Sequence, residues 1–211
     1  MSFVPTIERI SAEEIGEIPG LEGVIQYWAE SPVSAEAWFR KAGERWGCGL
    51  AMRRDGEILG FLLYGPPEYL PRAAHCSVGV PDPEEPLLAY LGGDPKTQRR
   101  LLLRMLGEMR QRRVAGVGAV SSDVGRPNHP PTDFLLACGW QPVRQGWSQP
   151  YTLMRADLGS AIEVGELARG LIGKVRLPKL RPATPSAGAF ARKESPAVFY
   201  EESLKAGAPQ S

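Results

Sequence analysis

The dipeptide Asp55-Gly56 is the feature of this sequence that most constrains its fold. It separates two segments with β-strand character, 49–54 and 57–65. In the first segment apolar residues alternate with small or polar ones, and the second is apolar almost throughout. Asp-Gly is a preferred pair for the two-residue type I′ turn. The sequence therefore predicts an antiparallel hairpin whose second strand is covered on both faces.

Helical patterns lie on both sides of this hairpin. Ser11 and Glu14 have the spacing of a capping box, and Ser34 can cap a helix over 35–46. Further along, leucine and methionine recur at helical spacing over 101–109. Residues 6–30 are expected to contain short helical segments and a loop.

Strand candidates flank the long helix and close the chain. They cover 87–92 and 117–122, and then 141–146 and 151–158 follow a short helix over 132–140. The strand–helix–strand passage in the middle is a single crossover and not a repeating array. The sequence predicts an α+β or α/β layered fold with one central crossover.

Composition and motifs narrow the class of protein. The formal net charge is +1, and no apolar run has the length of about 18–20 residues that a membrane span needs. The three cysteines lack CxxC spacing, and the N-terminus lacks a signal-peptide pattern. We expect a cytoplasmic protein with reduced thiols and no bound metal, acting without a membrane or nucleic-acid partner.

The character of the chain changes near residue 158. The sequence predicts one domain over 1–158 and a C-terminal part over 159–211, with a weak amphipathic helix and a Pro-rich tail. This tail has six Lys or Arg residues and no acidic residue over 174–193. We expect the C-terminal part to pack on the domain or on a homodimer partner. A basic arm for an acidic partner is the weaker alternative, since Phe190 is the only aromatic residue there.

Taken together, four stretches resemble the GNAT superfamily of acyl-CoA-dependent N-acyltransferases. They are the hairpin "AMRRDGEILGFLLYG", the strand and Arg-rich helix over 87–113, "NHPPTDFLLACGWQPV", and the closing "YTLMRADL". The segment "LYGPPEYLPRA" is also similar to a linker in bacterial GNAT-like proteins. The resemblance implies a GNAT-like mixed, mostly antiparallel central sheet with a splayed parallel strand pair and flanking helices.

The resemblance also implies acetyl-CoA as co-substrate. Its pantetheine arm would lie between 87–92 and 117–122, and its pyrophosphate would lie at the start of the long helix. The family's glycine-rich loop pattern is not kept at Gly93, Lys96 and Gln98. Backbone N–H groups from Thr97 to Arg100 and basic side chains would bind the pyrophosphate instead. The residues expected to bind the donor are Leu91, Gly92, Lys96, Thr97, Gln98, Arg99, Arg100 and Asn128.

The family's catalytic acid is absent from its usual position. Many members have a tyrosine where this chain has Leu135. Several residues remain candidates for proton transfer, foremost Tyr90, Tyr151 and Glu68, and further Ser121, Cys138, His75, Asp82, Glu84 and Glu85.

Two functions remain open from the sequence. The first is an acetyl-CoA-dependent N-acetyltransferase acting on an amine of a small molecule or peptide. The second is a catalytically inactive GNAT-like protein that serves in binding or scaffolding.

Overall fold

The structure is a computed structural model that describes residues 4–30, 34–147 and 150–159. The predicted C-terminal part, 159–211, lies outside the described residues except for Gly159. Seven strands form one sheet in the order β1-β2-β3-β4-β5-β7-β6. They are β1 (Thr6–Arg9), β2 (Gly49–Arg54), β3 (Glu57–Gly65), β4 (Leu87–Leu91), β5 (Gly116–Ser122), β6 (Gln141–Gln145) and β7 (Tyr151–Asp157).

All neighbouring strands are antiparallel except β4 and β5, which are parallel. Four α-helices accompany the sheet: α1 (Leu21–Ala29), α2 (Ala35–Trp46), α3 (Pro95–Gln111) and α4 (Thr132–Ala137). Short 3-10 segments cover Ala12–Glu17, Pro67–Tyr69 and Pro71–Cys76. The predicted fold class, a mixed and mostly antiparallel sheet with one parallel pair and flanking helices, is confirmed.

The turn and capping residues in the sequence predicted the hairpin and the start of α2 correctly. Asp55 and Gly56 have φ angles of 53° and 83°, which are the two positive values that a type I′ turn requires. The Ser34 hydroxyl oxygen accepts a hydrogen bond from the N–H of Ala37 at 3.2 Å and so caps α2.

Adjacent residues of each central strand face opposite sides of the sheet. Leu63 and Leu87 pack in one apolar cluster with α1 and α2, whereas Leu62 and Leu88 pack in the other with α3. This follows from the two-residue period of a β-strand. Burial of each such leucine contributes about 1.5–3 kcal/mol, so both helical layers are held by the same strands.

The first strand corrects the sequence-based expectation for 6–30. Thr6–Arg9 pairs with β2, with Thr6 opposite Arg53 and Ile7 opposite Met52. The strand has only four residues, most of them exposed, and lacks an alternating apolar pattern. Its structure is set by the free edge of β2, which is a tertiary effect that local patterns do not show.

Candidate functional site

Strands β4 and β5 pair over only two positions and then separate. The paired residues are Leu87 with Gly118 and Leu88 with Ala119. The Gly118 N–H donates to the carbonyl of Pro86 at 3.0 Å, on the side of β4. Since backbone groups alternate in direction along a strand, the carbonyl of Val120, two residues on, faces the same side. The splayed parallel pair that the family resemblance implies is present.

Beyond Ala119 a different segment lies beside β5. The Ser122 N–H donates to the Pro130 carbonyl at 2.9 Å, and Ser122 forms an isolated parallel bridge with Pro131. His129, just before them, has Nδ1 3.0 Å from the Val120 carbonyl oxygen. The opening therefore has β4 on one side and residues 129–131 on the other.

His129 is buried and has two hydrogen-bond partners. Its Nδ1 must carry the proton, because the Val120 carbonyl can only accept. Its Nε2 lies 2.8 Å from the Tyr27 hydroxyl oxygen and accepts a hydrogen bond from that hydroxyl. Burial lowers the pKa of His129, and Arg72 acts in the same direction, whereas the bond to Val120 opposes them. The imidazole is thus held neutral and in one tautomer.

Two tyrosines and a tryptophan surround this histidine. The Tyr151 ring centroid lies 4.5 Å from that of His129, and the Trp28 centroid lies 4.9 Å away. Burial raises the pKa of Tyr27, and Tyr151 adds to the rise as a hydrogen-bonding neighbour. The fully buried Trp28 has an Nε1 without a hydrogen-bond partner. Tyr27, Trp28, His129 and Tyr151 are called the His129 cluster below.

A separate hydroxyl network lies at the end of β5. The Ser121 hydroxyl donates to the Thr152 carbonyl at 3.0 Å and lies 2.8 Å from the Thr132 hydroxyl. The Asp123 carboxylate accepts from the hydroxyls of Thr132 and Thr152. Ser121, a predicted candidate for proton transfer, is therefore committed to a carbonyl partner.

The start of α3 is capped by the chain's own carboxylate. One oxygen of Asp94 accepts from the N–H groups of Lys96 at 2.9 Å and Thr97 at 3.2 Å. The other oxygen accepts from the Thr97 hydroxyl at 2.6 Å. Pro95 has no N–H, and the Gln98 N–H donates to the Asp94 carbonyl at 2.9 Å. The N–H groups of Thr97 and Gln98, expected to be available for a pyrophosphate, therefore already have partners within the chain.

Asp94 also brings a negative charge to this position. Hydrogen bonds from the Thr97 hydroxyl, and then from backbone N–H groups, lower the pKa of its carboxyl. The positive end of the helix dipole further favours the ionised form. The place where the resemblance puts a pyrophosphate thus already holds an anion.

The glycines before α3 are needed for packing. A Cβ at Gly60 would lie 2.4 Å from the Gly92 carbonyl oxygen and 2.9 Å from the Gly93 Cα. Gly93 has a φ of 106°, and a Cβ there would lie 2.8 Å from the Leu59 carbonyl oxygen. The turn between β4 and α3 therefore contacts β3 backbone to backbone. Folding alone explains these glycines.

The predicted donor-binding residues differ in accessibility. Leu91, Gly92 and Thr97 are buried, Gln98, Arg100 and Asn128 are half-buried, and Lys96 and Arg99 are exposed. The Gln98 amide nitrogen donates to the Gly93 carbonyl at 2.9 Å. Asn128 has a φ of 62°, a left-handed conformation that suits asparagine and orients the chain before His129. Donor binding by these residues stays a prediction.

The predicted proton-transfer residues are dispersed. Tyr151 belongs to the His129 cluster, whereas Tyr90 stacks on Phe61 at 4.7 Å and lies against Gly92. Glu68 is exposed on the 3-10 segment Pro67–Tyr69. The structure brings none of the three together.

Helix α4 supplies no acid at the family's usual position. Leu135 is fully buried in the apolar cluster on the α3 side of the sheet. Cys138 is buried too, and its burial raises the pKa of the thiol, although Arg99 opposes the rise as a neighbouring charge and hydrogen-bond partner.

The remaining candidates are held in ion pairs or line a cavity. Glu84 pairs with Arg45, and His75 Nδ1 lies 3.1 Å from a carboxylate oxygen of Glu30. Glu85 is buried, and both of its oxygens accept from Arg155, at 2.6 Å and 2.9 Å. That contact raises the pKa of Arg155. Glu85, Asp82, Arg155, Leu87 and Leu153 help to line a cavity of about 520 Å³ beside the paired end of β4 and β5.

Within the described residues, no group of three or more His, Cys, Asp or Glu side chains could hold a metal ion. No helix in this same part of the chain is long and apolar enough to cross a membrane.

The sequence alone predicted no capping or proton-transfer role for three residues that shape this region. Asp94 could have been identified, because Asp followed by Pro is a common helix start. Tyr27 and His129 had no comparable signal. They are 102 positions apart in the chain and meet only through the fold.

Comparison with known proteins gave structural similarity only. No protein-family profile matches the chain, and no curated protein matches it. The structure is similar to the ribosomal-protein-S18-alanine N-acetyltransferase from Escherichia coli, at 15% identity and a TM-score of 0.47, over 75% of this chain and 96% of that one.

Two further solved structures are similar and were determined with coenzyme A or an acyl derivative. The PaiA N-acetyltransferase from Thermoplasma acidophilum in complex with coenzyme A has 14% identity and a TM-score of 0.46, over 74% of this chain and 99% of that one. The GphF GNAT-like decarboxylase in complex with isobutyryl-CoA has 17% identity and a TM-score of 0.48, over 72% and 99%.

Proposed function

We propose that this chain is a GNAT-type acyltransferase that moves an acetyl group from acetyl-CoA to an amine. The observation that carries the proposal is the separation of β4 from β5 after Leu88 and Ala119. Diverging strands leave room for an extended ligand, whose amides would bind the edge of β4 much as an added strand would, since residues 129–131 occupy the edge of β5. The His129 cluster lies beside the same opening.

The reaction requires two proton transfers. The amine nitrogen attacks the thioester carbonyl, so that a C–N bond forms and the C–S bond breaks. The amine loses one proton, and the departing thiolate gains one. Positioned side chains that carry such protons contribute about 10²–10⁴-fold to the rate.

We assign these protons to the tyrosines of the His129 cluster. The Tyr27 hydroxyl takes the amine proton while its own proton passes to Nε2 of His129, 2.8 Å away. The resulting imidazolium keeps its Nδ1–H bond to the Val120 carbonyl. Tyr151, the neighbour of both, donates a proton to the thiolate, and the proton that His129 gained passes through water to Tyr151, so that both groups return to their starting state. His129 acts through Tyr27 and is a positioning residue in this scheme.

The identity of the acceptor follows only as a class. It is an amine of a small molecule or peptide that reaches the opening. The cytoplasmic location and the homodimer stay predictions.

Ligand binding tests the proposal first. Acetyl-CoA and acetyl-pantetheine are titrated by calorimetry and thermal shift, and thiol release is then followed with a panel of amines. A ligand at 100 times its Kd adds about 2.7 kcal/mol to the free energy of unfolding, which is a readily measured rise in Tm. If neither donor binds at millimolar concentration, the proposal is wrong.

A non-catalytic binding protein is the second candidate. The Asp94 cap favours it, because the expected pyrophosphate site is filled by the chain itself. Binding of a donor without thiol release to any amine, and with equal affinity in His129→Gln, would identify this second function.

A further inference from the structure

The start of α3 is the part of the candidate site that fits the expected donor least. An anion binds at a helix start through free N–H groups of the first turn. Here Pro95 has none, and those of Lys96 and Thr97 donate to Asp94. The first turn is therefore already satisfied without a ligand.

The Asp94 cap is held by a further hydrogen bond and by the packing of the turn before it. The Thr97 hydroxyl donates to its second oxygen at 2.6 Å, so that both oxygens are bound. The preceding turn is held against β3 by the close backbone contact of Gly60 with Gly92 and Gly93. Moving Asp94 aside would break three hydrogen bonds in a turn with little space to shift.

The basic side chains near the start of α3 do not compensate for the N–H groups that Asp94 occupies. Arg99 is a hydrogen-bond partner of Cys138, at the end of α4. Lys96 is exposed, and Arg100 is half-buried. Exposed cations near a phosphate contribute little because water and salt screen them.

We propose that the chain recognises its donor through the acyl-pantetheine arm alone, with Asp94 excluding the pyrophosphate from the start of α3. The donor class is then acyl thioesters of pantetheine, with or without the nucleotide. This inference rests on the proposed function, since it uses the same opening between β4 and β5. It makes Asp94 a specificity-determining residue for the nucleotide part of the donor.

The consequence for affinity is specific. A helix start that held the pyrophosphate would make acetyl-CoA bind far more tightly than acetyl-pantetheine. With Asp94 in place, the two donors should have Kd values within about tenfold of each other, because the nucleotide part stays in solvent.

The experiment compares both donors on the full-length chain by calorimetry at fixed ionic strength. A third titration uses acetyl-phosphopantetheine, which separates the effect of a single phosphate from that of the whole nucleotide. The variant Asp94→Gly frees the N–H groups of Lys96 and Thr97, and glycine is itself a tolerated N-cap. In this variant the preference for acetyl-CoA should rise about tenfold.

Two further variants separate the effect on donor preference from any effect of the substitutions on folding. Asp94→Asn keeps the capping ability and removes the charge, so it should raise the preference for acetyl-CoA about threefold. Glu36→Gln removes a charge from the first turn of α2, which packs on the other face of the sheet, and should leave the preference unchanged.

The outcomes separate the two proposals. Similar affinities in the wild type, with a raised acetyl-CoA preference in the Asp94 variants, support the inference. Tenfold or tighter binding of acetyl-CoA over acetyl-pantetheine in the wild type overturns it and leaves the proposed function standing. Absence of binding by every donor overturns both.

Discussion

The start of α3 follows β4, and the His129 cluster lies beside β5, so the two regions lie at the two strands that separate. They differ in whether the needs of folding explain their residues. At the start of α3 each unusual residue has a structural reason: Asp94 caps, Pro95 begins the helix, and two glycines allow close packing. The His129 cluster instead contains a buried histidine, a tyrosine with a raised pKa and an unpaired indole N–H.

This difference supports the role proposed for the His129 cluster. Burying titratable groups costs free energy, and an apolar side chain in place of His129 would avoid that cost. Groups with shifted pKa values collect at functional sites because proton transfer needs them. The resemblance to the GNAT superfamily points to the loop before α3, whereas the proposed proton transfers involve residues 27, 129 and 151.

The largest expected effect is on catalysis. His129→Gln keeps a neutral side chain that forms hydrogen bonds but removes the proton acceptor behind Tyr27. We expect kcat to fall about 100-fold, at the low end for general acid–base catalysis. The wild-type pH–rate profile should have an acidic limb below about pH 6.5, since the pKa of His129 is lowered, and the variant should lose that limb. An unchanged profile would exclude His129 from proton transfer.

Tyr27→Phe should have a smaller effect on rate and a measurable effect on stability. The substitution leaves the buried Nε2 of His129 without a donor, which costs about 1–3 kcal/mol in the free energy of unfolding. We expect kcat to fall about tenfold, because water can replace part of the proton path. Urea unfolding and thiol release measure the two effects, and Tyr69→Phe, on the 3-10 segment Pro67–Tyr69, serves as the control.

Asp94→Ala should affect folding and leave the acyl transfer step intact. Loss of the cap should lower the free energy of unfolding by about 1 kcal/mol. Ser34→Ala, at the start of α2, is a matched control with a loss of similar size. The turnover of acetyl-pantetheine by Asp94→Ala should equal that of the wild type. A large fall in that turnover would mean that the start of α3 takes part in catalysis.

The smallest expected effect is the dependence of stability on pH. The pKa of His129 is lowered in the folded protein from the usual 6.5. The unfolded chain therefore binds the proton more readily, and the contribution of His129 to stability is present above pH 6.5 and is lost as the pH falls through the folded pKa. Urea unfolding from pH 7.5 down to pH 5 should show a steeper loss for the wild type than for His129→Gln. Parallel curves would contradict the burial of a neutral histidine.

The sequence predicted those parts of the molecule that local rules determine. The Asp55-Gly56 turn, the Ser34 cap and the α3 stripe each depend on neighbouring residues and were predicted correctly. β1 was missed because the exposed edge of β2 defines it. The separation of β4 and β5 came from the family resemblance, and the pairing confirms it.

The site was harder to predict for two physical reasons. The Asp94 cap follows a local pattern, Asp before Pro, whereas the family's loop pattern falls on Gly93, Lys96 and Gln98 and does not include it. The contact of His129 with Tyr27 joins a loop after β5 to α1 and depends on the whole sheet being assembled. The sequence alone names Tyr151 as a candidate for proton transfer, but its contact with His129 is visible only in the fold.

The tilted contact between Trp28 and His129, with ring centroids 4.9 Å apart, has an optical consequence. A protonated imidazole quenches the emission of a neighbouring indole, and Trp28 is buried against this one histidine. The difference in fluorescence between the wild type and Trp28→Phe thus reports the charge of His129 directly. The fluorescence of Trp28 is therefore a built-in measure of the protonation of His129, on which the proposed chemistry depends.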